Sequence, residues 1–80
     1  MSPTSFCEIF LSVCGTTHAG LGSMSECVAT YAALTTTKPM RQQCQSYHLC
    51  TAAGLTGDNR DNHCTHAGAD PGNMVCIQDD

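Results

Sequence analysis

Cys44 and His48 stand four residues apart, and His63, Cys64 and His66 follow in the run HCTH. Thiolate sulfur and imidazole nitrogen are the donors that zinc and copper take up, and an i, i+4 pair on a helix presents both to one point. The spacing matches no standard zinc-finger pattern, and a cysteine held in a disulfide cannot act as a thiolate ligand. With Cys64 set aside as a bridge partner, the metal set expected from the sequence is Cys44, His48, His63 and His66.

Other chemistries can be weighed against the same residues. Covalent haem attachment needs Cys-x-x-Cys-His, which the chain lacks. Non-covalent haem through His18, His48 or His66 would use known axial ligand types, although two Phe, two Tyr and no Trp make a thin wrapping for a porphyrin. A Cys44/His48 dyad has the residue types of a nucleophile and its base, but no nucleophile elbow, H-E-x-x-H or P-loop accompanies it. The carboxylates are scattered, so no enzyme is expected. The run GDNRDN at 57–62 offers hard oxygen ligands in the wrong order for a calcium loop and reads as an Asx-rich turn.

The tetrapeptide THAG occurs at Thr17–Gly20 and again at Thr65–Gly68, each time shortly after a cysteine. Both copies are expected to be turns that use a glycine able to take positive φ. The neighbouring residues do not extend the match, so no duplication is inferred.

These side chains need a frame, and composition says which kind. Eighty residues make one small domain whose core alone gives little stability. Seven cysteines supply what the core lacks, at roughly 2–4 kcal/mol per disulfide. Structural disulfides place the chain in a secreted, periplasmic or extracellular setting. Three Lys and Arg against seven Asp and Glu cannot form a phosphate footprint, so nucleic acid is excluded as a partner. No apolar run reaches the length of a membrane span. The opening MSPTSFCEIF has neither a basic n-region nor a long apolar stretch, so no signal peptide is read there, and an exported chain is expected to begin at its mature end.

Three helices are predicted, at about 5–14, 23–36 and 39–53. Ser5 with Glu8 and Ser23 with Glu26 have the spacing of capping boxes. Phe6, Ile9, Phe10 and Val13 repeat as one buried face, and Cys27, Tyr31 and Leu34 as another. Thr35–Thr37 should end the second helix, and Pro39 should open the third. In the third, Met40, Cys44, Tyr47, His48 and Thr51 share a stripe. Residues 55–80, rich in Gly, Asp and Asn, read as an irregular tail with at most a helical turn near His63–Ala67. The expected fold is therefore small, all-α and disulfide-rich: a three-helix up-down-up bundle with a disulfide-tied tail. The working bridges are Cys14–Cys27, Cys50–Cys64 and Cys7–Cys76, with Cys44 free. Cys76 has Cys44 as an alternative partner.

The helix carrying YHLC, followed by HC-x-HA and a final cysteine, resembles small exported cysteine-rich proteins of bacteria over residues 44–76. That resemblance implies export and disulfides, and carries no site residue. The sequence favours a non-enzymatic structural or binding module, part of a surface or extracellular assembly, with a protein partner or self-association and no cofactor. The alternatives are a zinc-, copper- or haem-binding protein and a small secreted effector or toxin.

Overall fold

The computed structural model describes residues 1–77. It contains four helices: α1 (Pro3–Cys14), α2 (Met24–Thr37), α3 (Pro39–Ala53) and α4 (Gly57–Ala67). The all-helical, disulfide-rich class is as expected, and among the described residues there is no strand. The three-helix description is corrected, because 57–67 is a fourth helix rather than irregular. The end of the expected tail, 78–80, lies outside the described residues.

Local chemistry explains each boundary. The Ser2 hydroxyl accepts the Ser5 N–H at 3.1 Å, and Pro3 occupies the first turn, so α1 starts two residues before the expected Ser5. At α2 the Ser23 hydroxyl accepts the Glu26 N–H at 3.2 Å. The Glu26 carboxylate accepts from the Gly22 N–H at 3.0 Å, one residue beyond the reach of a standard box. The threonine run does not stop α2. Thr37 stays in the helix and donates its hydroxyl to the Ala33 carbonyl at 2.7 Å. The stop comes from Pro39, which restricts the residue before it. Lys38 closes α2 and opens α3, so the two helices turn about one residue.

α4 forms despite poor propensity. Asp and Asn compete with the helical backbone, and a short helix is marginal by itself. Tertiary anchors override this: Cys64 is bridged to α1, Ala67 is fully buried, and α3 packs along α4 more extensively than along any other helix. Asp58 in the first turn also suits the helix dipole.

The core gathers Phe6, Cys7, Phe10, Leu21, Cys27, Tyr31, Leu49 and Ala67. Phe6 stacks on Tyr31 with ring centroids 3.9 Å apart and on Phe10 at 5.7 Å. The Tyr31 hydroxyl meets Ser46 on α3, which satisfies its polar end. Ile9 faces outward, unlike Phe6 and Phe10 on the same expected face. On α3 the buried residues are Gln45, Leu49 and Ala52. The Cys44–His48 stripe is therefore not the core face, and Met40 and Tyr47 on it are exposed.

The disulfides are Cys7–Cys27, Cys14–Cys64 and Cys44–Cys76, and Cys50 is the free, exposed thiol. This replaces the expected Cys14–Cys27, Cys50–Cys64 and Cys7–Cys76 and moves the odd thiol from Cys44 to Cys50. The reasons are geometric. The link 15–23 is long enough for the first turn of α2 to lie beside the first half of α1, so Cys27 meets Cys7 with Cα atoms 5.8 Å apart. Cys14 at the end of α1 is then free to meet Cys64, on the helix that the sequence did not reveal. Cys44 points to the tail rather than to solvent, and Cys76 reaches it.

Candidate metal centre

His48 projects from α3, and His63 and His66 from one face of α4 at i, i+3 spacing. Helix packing brings the three rings together. His48 Nδ1 lies 3.2 Å from His63 Nδ1, and one ring donates its N–H to the other. Centroid distances are 5.4 Å for His48–His63, 5.0 Å for His48–His66 and 5.9 Å for His63–His66. One ligand nitrogen from each ring lies within 4.8 Å of the others. A tetrahedral ion with zinc–nitrogen bonds of 2.0–2.1 Å needs its ligand nitrogens about 3.3 Å apart. The His48–His63 pair already has that separation, and a nitrogen of His66 lies within 4.8 Å of both. The fourth would be left to water or to a ligand from outside.

Two further features suit ligation. His66 Nδ1 is buried without a hydrogen-bond partner among the described residues, a costly state unless something takes its lone pair or proton. His48 has its pKa lowered, first by burial and then by the neighbouring His66 and His63. Its ring is thus kept neutral, the form that binds metal. All three rings are half-buried, so an ion can reach them.

The structure sorts the expected site residues. His48, His63 and His66 converge as the metal reading requires. Cys44 is adjacent but oxidised, so its thiolate is not available and it leaves the expected four-residue set. His18 is outside the group: its ring sets an edge against Phe10, with centroids 5.3 Å apart. The expected haem trio of His18, His48 and His66 therefore does not assemble. His48 and His66 touch each other directly, an arrangement for one ion rather than for a planar macrocycle between two axial ligands.

The two THAG copies differ in conformation and yet meet. In the first, Gly20 takes φ +78° and the Leu21 N–H donates to the His18 carbonyl at 3.1 Å, which makes the expected turn. The second is the last turn of α4, and its Gly68 has φ −79°, so the turn reading is corrected there. A Cβ on Gly20 would lie 3.5 Å from Ala69 Cβ, and one on Gly68 3.8 Å from His18 Nδ1. The small residues let the two loops pack face to face. The first copy buttresses α4, and only the second supplies a ligand candidate.

Sequence reasoning missed Asn73. It is buried, and its amide donates to the carbonyls of His66 at 2.7 Å and Gly68 at 3.0 Å. Its Oδ1 accepts the N–H groups of Val75 at 3.1 Å and Cys76 at 3.3 Å. This one side chain ties the tail to the end of the ligand-bearing helix. A cavity of about 310 Å³ between α2, α3 and the tail, lined by Lys38, Arg41 and Gln45 among others, contains none of the histidines.

No protein-family model, curated protein or solved structure matches the chain. Among the described residues, no helix is long and apolar enough to cross a membrane. Three bridges in so small a domain are consistent with an extracellular location.

Proposed function

We propose that this chain is an exported, disulfide-stapled module that binds one divalent transition-metal ion through His48, His63 and His66. The observation that carries the reading is the convergence of three imidazoles from two helices within 4.8 Å. Imidazole donors suit zinc and copper(II). The role we propose is a binding one, with three imidazole ligands and a fourth position open to a ligand from outside. The bound ion would brace α3 against α4 and offer its open position to a partner's side chain. A secreted effector built on the same staples would use the site in the same way.

Calorimetric titration of the oxidised, metal-free protein with zinc and with copper(II) tests this. One ion should bind per chain at neutral pH. Alanine at His48, His63 or His66 should weaken binding by more than about tenfold, since even an outer partner of a ligand carries that much. His18→Ala should bind as the wild type does. If the triple histidine variant binds as the wild type does, the reading fails, and the module is left as a protein-binding scaffold with exposed Met40, Tyr47 and Met74.

A further inference from the structure

We propose that the Cys44–Cys76 bridge is a latent ligand pair: opened by a dithiol reductant, its two sulfurs join His48 in a second, sulfur-rich metal site. The sulfurs of Cys44 and Cys76 and a ring nitrogen of His48 lie within 4.8 Å of one another. His48 thus belongs to two donor groups at once, one all nitrogen and one with two sulfurs. The inference rests on the three-histidine reading for the shared role of His48.

Three observations make the pair usable. Cys44 and His48 are one helical turn apart on α3, so the helix itself fixes two of the three donors. Cys44 is half-buried and Cys76 fully buried, so an attacking thiolate has access at the Cys44 sulfur; Cys14 gives the Cys14–Cys64 bridge similar exposure, whereas Cys7 and Cys27 are both fully buried. Most tellingly, the disulfide is not all that holds Cys76 in place. Asn73 accepts the Cys76 N–H and is itself anchored on the carbonyls of His66 and Gly68. When the bridge opens, the turn carrying Cys76 stays docked on α4, and its thiol stays beside Cys44 and His48.

The step balances simply. The dithiol supplies two electrons and two protons. The Cys44–Cys76 sulfur–sulfur bond breaks, a sulfur–sulfur bond forms in the reductant, and the protein gains two thiols. A soft ion then binds both sulfurs, and their two protons go to solvent. Oxidised, the protein holds zinc or copper(II) on imidazoles; reduced, it gains thiolates, which select softer ions such as copper(I) and cadmium.

The test uses cobalt(II) and cadmium in a Cys50→Ser background, which removes the thiol that is already free. Oxidised protein should take up cobalt without a thiolate-to-metal charge-transfer band. After anaerobic treatment with limiting dithiol, the band should appear, cadmium should bind more tightly, and alkylation mapping should find Cys44 and Cys76. His63→Ala/His66→Ala should keep the reduced-state band while losing oxidised-state binding, which separates this inference from the three-histidine reading. The inference is overturned if the reduced protein gives no band. It is overturned equally if Cys44→Ser/Cys76→Ser gives the same band, or if opening this bridge abolishes the helical circular-dichroism signal.

Discussion

Replacing Cys14 and Cys64 together by alanine tests what holds the site. Cys64 lies between His63 and His66, and its bridge to Cys14 encloses a sequence separation of 50. In the chain-entropy treatment, losing a loop of that length costs about 4 kcal/mol, and the other bridges reduce this slightly by offering a shorter path. The Cys7–Cys27 loop, with a separation of 20, is worth about 3.3 kcal/mol by the same arithmetic. A domain of this size has a total of only about 4–12 kcal/mol, so both double variants should be clearly destabilised. They should part in function. Cys7–Cys27 joins α1 to α2, away from the histidines, whereas Cys14–Cys64 tethers a helix with little apolar surface and two of the three ligands. Urea denaturation of both variants gives the stability loss, and zinc calorimetry below the unfolding transition gives the affinity. The expected result is a comparable loss of stability, with zinc affinity falling sharply only in Cys14→Ala/Cys64→Ala. Equal zinc affinity in the two variants, or a stability loss under about 1 kcal/mol for the longer loop, would refute the reasoning.

The remaining predictions concern acid, the odd thiol and the tail. His48 has a lowered pKa, so its neutral form is favoured in the folded state. The stability this gives is complete above the ordinary value of 6.5 and is lost as pH falls through the lowered value. The urea midpoint of metal-free protein should drop on acidification below about 6.5, and His48→Ala should flatten that drop. Under native, non-reducing conditions one thiol should be alkylated, and intact mass should show that Cys50→Ser abolishes it; labelling at Cys44 instead would revive the rejected pairing. Asn73→Ala should cost about 2–3 kcal/mol in thermal or urea unfolding, because it strands buried carbonyl and N–H groups.

Much of the helical frame was legible because it is written in local rules. Pro39, Gly54 and the Ser23 cap mark ends that depend only on nearby residues. Phe6 and Phe10 were readable as core from their spacing. α4 was not legible, because its Asp, Asn and Gly content argues against a helix and its support comes from Cys14, α3 and the packed THAG turn, all distant in sequence. The bridge pairing failed for the same reason: without α4, Cys14 has no visible partner but Cys27. His48 and His63 could be named as ligand types, but their meeting depends on α3 and α4 lying side by side. Asn73 carried no signal, since one asparagine in a polar tail looks like any other.

The scaffold and the site constrain one another. Six of the cysteines are tied into bridges, which removes the thiolates that a cytosolic metal protein would use. Apart from the single free thiol of Cys50, imidazole is then the strong donor left, and three of the four histidines stand together on the two helices that pack most extensively. The His48 ring, its pKa lowered by burial and by its neighbours, costs stability in acid, and His66 holds a buried nitrogen without a partner among the described residues. A merely structural interface would be better served by apolar residues at these positions, which bring neither cost. An ion on the three rings would make one nitrogen of each a ligand at neutral pH. Replacing His48, His63 and His66 by leucine, methionine and leucine should therefore stabilise the metal-free protein if the cluster exists for binding. If the same replacement destabilises it, the histidines are earning their place through hydrogen bonding alone, and the metal reading loses its physical motive.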